Sequence, residues 1–149
     1  MEVKYILQPN TEESAIEAEY LRYNAYGIKA TREDLDDYFI NEIKEGKILV
    51  FICLADNIPI AGCYVSDSFN KLYIDYLFVI PEYRDRGLHI GRKLLSFILE
   101  NKTIVENHFN KELNYSELIS TNDKTYSIYQ KLGYEKKTPE SDTMQKKLD

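Results

Sequence analysis

The chain has 149 residues and a mass of 17.5 kDa, enough for one domain with its own core and too little for two. Its 19 basic and 25 acidic residues give a net charge of −6, which argues against nucleic acid as the main partner because phosphate binding needs a positive face. The longest apolar run, residues 48–55, is far shorter than the roughly 20 residues of a transmembrane helix, so we expect no membrane partner.

Cysteine and histidine content argues against a metal site. The two cysteines, Cys53 and Cys63, do not form a CxxC pair, and two histidines do not make a usual zinc site. The two cysteines could face each other across the predicted hairpin, and we interpret them as small apolar core residues, with a redox pair as the alternative. The amino terminus has no basic stretch leading into a long apolar segment, so a cytoplasmic, reduced protein is expected.

The first part of the chain predicts a strand and two helices. Residues 3–8 have a strand pattern, and Asn10 with Glu13 has the spacing of a capping box that opens a helix. The apolar face of that helix is predicted to hold Ile16, Tyr20 and Tyr23. Thr31 with Asp34 repeats the start signal before a second helix.

The rest of the chain predicts a sheet with more helices. Three β-rich runs come next, at residues 48–55, 60–65 and 72–80, and Asp56-Asn57 between the first two is a hairpin signal. The remaining elements are a helix from Ile90 to Phe109 with a break, a strand at 117–120, a helix that ends at Gly133 and a strand at 142–148. This order predicts a single α+β domain over residues 1–149, with a central, mostly antiparallel mixed sheet and helices on both faces.

The turn after the third β-rich run combines arginines and glycines directly ahead of a helix. Its basic residues are Arg84, Arg86, Arg92 and Lys93. Such a turn directs backbone N–H groups and the positive end of the helix toward an anion, and arginine adds bidentate pairing with phosphate. Two other interpretations stay open from these residues alone: a solvated helix end, and glycines present only for steric reasons.

Two segments of the sequence resemble the GNAT superfamily of N-acetyltransferases. The stretch from Leu77 through Pro81 to Leu95 resembles the family's acetyl-CoA-binding segment. Asn122 to Tyr134, with Tyr129 and Gly133, resembles a second family segment, although Thr125 replaces its alanine, and the tail from Thr143 resembles the closing strand. The resemblance covers residues 48–149 by motif and the first 46 residues only by the order of elements.

The family pattern Arg/Gln-x-x-Gly-x-Gly/Ala fits the turn in two registers. One register begins at Arg84 and places His89 at the last glycine, whereas the other begins at Arg86 and places His89 at the first glycine. We favour the second register, because Ile90 then stands four and five positions before the Leu94-Leu95 pair, as in the family.

The resemblance implies acetyl-CoA as a cosubstrate and no metal. In the family, a bulge separates the strand that carries Leu77 to Val79 from its neighbour, and backbone N–H groups of that strand hold the thioester oxygen. The implied cofactor-binding residues are Leu77, Phe78, Val79, Arg84, Arg86, Gly87, His89, Gly91, Arg92 and Asn122.

The resemblance implies one catalytic residue, and the strand pattern suggests a second. Tyr129 matches the tyrosine that donates a proton to the CoA sulfur; a plain packing role beside Leu132 is the alternative. Asp75 lies on the same strand face as Leu77 if the strand is regular, which makes it the candidate base, with a solvated carboxylate as the alternative. Tyr73 and His89 are weaker candidates for the base.

The function predicted from the sequence is transfer of an acetyl group from acetyl-CoA to a primary amine of a small molecule or peptide. Residues 11–45 hold ten acidic and four basic residues, which either attract a cationic amine or form a solvated outer face. A GNAT-fold module that binds or senses CoA is the alternative, and a small interaction domain is the third. A homodimer is left open beside a monomer.

Overall fold

The computed structural model describes every residue from Met1 to Asp149. The strands are β1 (Val3–Leu7), β2 (Leu49–Ala55), β3 (Ile58–Ser66), β4 (Leu72–Val79), β5 (Tyr115–Ile119), β6 (Glu135–Lys136) and β7 (Thr143–Lys147). The helices are α1 (Glu12–Ala25), α2 (Asp37–Lys44), α3 (Ile90–Glu100), α4 (Lys102–Phe109) and α5 (Asp123–Lys131). The break predicted within residues 90–109 falls at Asn101, and β6 was not predicted.

All seven strands form one sheet in the order β1-β2-β3-β4-β5-β7-β6, antiparallel except for the β4–β5 pair. Phe51 and Cys63 are paired across β2 and β3, and Phe51 packs against Phe97 of α3. Tyr64, the next residue of β3, points to the other face and bonds to Glu19 of α1. The prediction of a mixed sheet with helices on both faces is therefore confirmed. No helix has both the length and the apolar character to cross a bilayer.

The start of α1 differs from the prediction by one residue. Thr11 is the N-cap, and its side chain accepts a hydrogen bond from the backbone N–H of Ser14. The amide of Asn10 instead donates to the carbonyls of Ile43 and Ile48, at 2.9 and 3.1 Å. Asn10 therefore ties α1 to the α2–β2 connection, a long-range role that local spacing does not reveal.

The second capping box and the hairpin turn predicted from the sequence are both present, but the capping box does not start an α-helix. The Thr31–Asp34 capping box is present, but it closes one 3-10 turn, and α2 begins later with Asp36 as its N-cap. The Asp56-Asn57 hairpin is confirmed, because both residues have the left-handed conformation, with φ of 49° and 68°, that a tight β-hairpin turn needs.

The two cysteines do not face each other, so that expectation is wrong. The β2–β3 register pairs Cys53 with Ala61 and Cys63 with Phe51. Both thiols are free and buried, in keeping with small core residues.

A β-bulge in β4 parts the sheet. Tyr64 pairs with Tyr76 and Val65 pairs with Ile74, which leaves Asp75 as an extra residue on β4. On its other edge, β4 pairs with β5 only at Leu72↔Ser116 and Tyr73↔Glu117. Beyond Tyr73 the two strands separate, as the family resemblance implied, and the cleft described below lies between them.

The core face of α1 contains a buried ion pair, and the predicted apolar face is correct for Ile16 and Tyr23, which pack on the core, but wrong for Tyr20. Tyr20 is exposed, whereas Glu19 is fully buried and Arg22 nearly so. Their side chains form two hydrogen bonds of 2.7 and 2.9 Å, and the Tyr64 hydroxyl donates to Glu19 at 2.5 Å. The Arg22 guanidinium also lies 4.7 Å from the ring centre of Tyr76. Each buried charge is thus paired, and the pair joins α1 to the centre of the sheet.

We expect Glu19→Gln to lower the free energy of unfolding by about 3–5 kcal/mol, because it leaves the Arg22 charge buried without a countercharge. Chemical denaturation measures this effect. Glu17→Gln on the exposed side of the same helix is the matched control and is expected to change stability by less than about 0.5 kcal/mol. Equal stabilities of the two variants would show that the ion pair does not hold α1 on the sheet.

Candidate active site in the cleft between β4 and β5

A cleft of about 1140 Å³ occupies the gap between the parted strands. One side is β4 with the turn that follows it, and the other is the end of β5 with α5. Among the lining residues are Asp75, Leu77, Val79, Asn122 and Tyr129. The cleft therefore brings together residues that lie more than 50 positions apart in the chain.

The cleft edge of β4 has backbone groups that no neighbouring strand pairs beyond Tyr73. The backbone N–H of Ile80 donates to the carbonyl of Ile60, so the backbone groups of Ile80 point toward β3. Because backbone groups alternate between the two edges of a strand, those of Leu77 and Val79 point away from β3 toward the cleft. Phe78 points its backbone groups toward β3, and its ring is buried against Tyr64.

The turn between β4 and α3 concentrates unpaired N–H groups. From Asp85 through Arg92, no backbone N–H donates a hydrogen bond within the chain. Gly87 has φ of +71°, and His89, the residue before α3, has φ of 53°. A turn with these N–H groups at the positive end of an α-helix has the geometry of an anion-binding site.

The start of α3 favours the register that begins at Arg86. Ile90 is buried together with Leu94 and Leu95, as that register requires, whereas Leu88 is half-buried. His89 then occupies the position of the first family glycine in a left-handed conformation. A Cβ added to Gly91 would lie 3.6 Å from Val79, so the first turn of α3 packs directly on β4.

The three arginines of this region have different environments. Arg84 lines the cleft, and its Nε donates to the carbonyl of Val79 at 2.8 Å. Arg86 lies outside the cleft: it donates to the carbonyl of Glu82 at 3.0 Å, and its guanidinium lies 5.2 Å from the ring centre of Tyr83. Arg92 lines the cleft and has no ion-pair partner in the chain.

The other side of the cleft begins at the N-terminus of α5. Asn122 is the N-cap, and its side chain accepts from the backbone N–H of Thr125 at 2.9 Å. Thr125, where the family has alanine, also donates its hydroxyl proton within this cap. Asn122 therefore begins α5 and lines the cleft at the same time.

Tyr129 lies about two turns beyond Asn122 along α5. Burial, together with Cys63, raises its pKa to about 12, so the hydroxyl keeps its proton at neutral pH. That hydroxyl makes no hydrogen bond within the chain, and the ring packs 6.1 Å from that of Tyr134. Tyr129 is half-buried and lines the cleft, so a hydroxyl with an available proton is accessible there, which suits a proton donor.

Asp75 is the extra residue of the β4 bulge, so the regular strand assumed for it does not exist. Its Oδ2 is the one buried side-chain oxygen or nitrogen with no hydrogen-bond partner. Burial, reinforced by the negative charge of Glu42 on α2 and partly offset by the Ser66 hydroxyl, raises the pKa of Asp75 to about 6. Neither Asp75 nor Glu42 has a lysine or arginine within salt-bridge distance.

The two weaker base candidates have different positions. Tyr73 does not line the cleft, whereas His89 lines it from the turn before α3, beside the free N–H groups rather than beside Asp75. Lys124, which pairs with Asp85, was not singled out from the sequence, although it lies in the segment that resembles the family. Glu42, one of the ten acidic residues within 11–45, exerts its negative charge on Asp75, and only the fold reveals this. No three histidine, cysteine or acidic side chains lie close enough together to hold a metal ion.

Comparison with known protein structures places this architecture among acetyltransferases. The ribosomal-protein-S18-alanine N-acetyltransferase of Escherichia coli superposes with a TM-score of 0.70 at 13% identity, covering 98% of this chain and 95% of that chain. The PaiA N-acetyltransferase of Thermoplasma acidophilum, solved with coenzyme A, gives 0.58 at 23% identity over 99% of both chains. YncA of Salmonella typhimurium, solved with acetyl-CoA, gives 0.66 at 14% identity, covering 100% of this chain and 95% of that chain.

No curated protein matches the chain. The family model described as an acetyltransferase (GNAT) domain matches residues 45–136, which is more than half of the sequence. This span includes the bulged strand, the turn with free N–H groups and α5 with Tyr129. The chain therefore belongs to the GNAT family of acetyltransferases.

Proposed function

We propose that residues 1–149 form an N-acetyltransferase that binds acetyl-CoA in the cleft and transfers the acetyl group to a primary amine of a small molecule or peptide. The observation that carries the proposal is the cleft itself, which joins an anion-binding turn to two titratable residues suited to proton transfer. The phosphates of CoA would be held by the N–H groups from Asp85 to Arg92, with the charges of Arg84 and Arg92 nearby.

The backbone of β4 supplies the electrostatic part of the proposed mechanism. Leu77 and Val79 present N–H groups to the cleft at the depth where the thioester would lie. A fixed N–H donor stabilises the negative charge that develops on the thioester oxygen when an amine attacks its carbon, and one such donor typically contributes about 3 kcal/mol.

Asp75 and Tyr129 are the proposed proton carriers. Asp75, with a pKa near 6, is largely ionised at neutral pH and accepts the amine proton directly or through one water. Tyr129 remains protonated and donates to the departing thiolate sulfur. The amine nitrogen forms the new bond to the acetyl carbon, and the bond from that carbon to sulfur breaks.

The charge around Asp75 favours a cationic acceptor. The negative charge of Glu42 helps to raise the pKa of Asp75, and neither carboxylate has a basic partner within salt-bridge distance, so we expect a negative potential at the acceptor end of the cleft. One acidic residue of 11–45, Glu42, is therefore placed to attract a cation. Another, Glu19, is neutralised by its ion pair with Arg22.

Three expectations from the sequence remain part of this proposal. One is that residues 1–149 work as a single domain, and the second is a cytoplasmic location. The third is the choice between a monomer and a homodimer, which sedimentation of the purified protein would decide.

Tyr129→Phe is expected to lower kcat by about 10–1000-fold, with kcat/KM falling in parallel, because the lost hydroxyl acts only in the transition state. Steady-state kinetics with acetyl-CoA and an amine measures this, and calorimetry is expected to give an unchanged Kd for CoA. Tyr126→Phe on the same helix, outside the cleft, is the matched control. If Tyr129→Phe kept the turnover rate of the wild type, Tyr129 would have a packing role and not a proton-donor role.

The pH dependence of kcat/KM is expected to report the protonation of Asp75. In the wild type, kcat/KM should fall as pH decreases through about 6, where Asp75 takes up a proton. The acceptor's own protonation lowers the rate of every variant, so the difference between wild type and Asp75→Asn isolates the carboxylate. Asp75→Asn should be slower by about 100-fold or more at pH 7.5.

The free energy of unfolding shows whether Asp75→Asn is slow because it lacks the carboxylate or because it is misfolded. The folded-state pKa of Asp75 lies above the usual 3.8, so burying the ionised form costs stability above pH 6, and this cost disappears below pH 4. Asp75→Asn should therefore be as stable as the wild type at pH 4 and more stable at pH 7. A variant that is fast at pH 7.5, or destabilised there, would contradict the assigned role.

A series of amine acceptors tests which substrate class is preferred. It also tests whether the protein is an enzyme or a module that only binds CoA. Butylamine, 1,4-diaminobutane and 4-aminobutanoate share a chain length and differ in the charge of the far end. We expect kcat/KM to be highest for the diamine and lowest for the amino acid, with a ratio of at least about tenfold. CoA binding without acetylation of any amine would favour the binding module instead.

A further inference from the structure

One ion pair crosses the mouth of the cleft. The Nζ of Lys124, in the first turn of α5, lies 2.5 Å from Oδ1 of Asp85, in the turn between β4 and α3. Both residues line the cleft, and their side chains are 71% and 72% exposed. The pair therefore connects the two sides of the cleft at the solvent boundary.

Asp85 has an unusual position for an acidic residue. It begins the stretch of free N–H groups and has a left-handed φ of 54°. A carboxylate at this position repels the anion that the turn is shaped to bind. Its charge is offset by Lys124, whose hydrogen bond and positive charge hold the pKa of Asp85 below its usual range.

The arginines of the turn leave a role for a further cation. Arg86 points away from the cleft, and the Nε of Arg84 is engaged by the carbonyl of Val79. Lys124 already lines the cleft and is held by a single contact with an exposed carboxylate. Such exposed pairs contribute little free energy, so a phosphate group of the cofactor competes well for the ammonium group.

We propose that Lys124 is a phosphate ligand of CoA, and that Asp85 holds it across the cleft until the cofactor arrives. The inference rests on the proposed function. When CoA binds, the ammonium group of Lys124 exchanges the carboxylate of Asp85 for a phosphate oxygen, and the two sides of the cleft are then linked through the cofactor. Asp85 thus restrains binding, and Lys124 strengthens it.

Calorimetric titration at low ionic strength tests both roles. Lys124→Gln is expected to raise the Kd of CoA about 3–10-fold, and Asp85→Asn is expected to lower it about threefold. Lys44→Gln on α2 is the matched loss of a positive charge outside the cleft, and Glu82→Gln is the matched loss of a negative charge next to the turn. Both controls are expected to bind CoA like the wild type.

The comparison with 3′-dephospho-CoA identifies the phosphate. A loss in Lys124→Gln for both cofactors supports contact with the pyrophosphate, and a loss for CoA alone supports contact with the 3′-phosphate. Lys124→Gln binding CoA as tightly as Lys44→Gln overturns the ligand role, and Asp85→Asn binding no tighter than Glu82→Gln overturns the restraint. A wild-type protein that binds no CoA would instead refute the proposed function.

Discussion

The architecture depends on a parallel ladder that stops after two residue pairs. At the last pair, Tyr73↔Glu117, one buried carboxylate holds the junction together. Glu117 binds Lys71 at the start of β4, at 2.9 Å, and Lys137 just beyond β6, at 3.1 Å. Burial opposes its charge, yet the two lysines keep the pKa of Glu117 below its usual range, so the contact persists at neutral pH. The strands can therefore diverge beyond this point without the sheet coming apart.

The carboxylates inside this molecule differ in whether a basic residue is paired with them. Glu19 and Glu117 are compensated by basic residues and by good hydrogen-bond geometry. Asp75 lies in the bulge with an unpartnered oxygen, and burial and the negative charge of Glu42 raise its pKa. Folding alone gains nothing from such a group, because a buried polar atom without a partner costs free energy. That cost is consistent with a residue whose partner is a substrate.

Local patterns in the sequence were sufficient for most elements, and tertiary pairing decided the rest. Helix caps such as Asn122 and turn residues such as Asp56 act within a few positions, so their signals are readable. The cysteine register, the charged face of α1 and the bulge at Asp75 each depend on residues from another element. Spacing therefore located the cleft-lining motifs, while the environment of Asp75, which includes Glu42 from 33 positions earlier, needed the fold.

The short β4–β5 ladder also divides the sheet thermodynamically. Strands β1 to β4 are joined by long antiparallel ladders, whereas β5, β6 and β7 form a second ladder group that meets the first through two residue pairs and the Glu117 contacts. Such a junction marks the boundary between cooperative opening units. Amide hydrogens of the β5–β7 unit should then exchange through a partial opening at lower free energy than those of β2 and β3. A ligand that contacts both sides of the cleft would couple the two units and raise the protection of the weaker one.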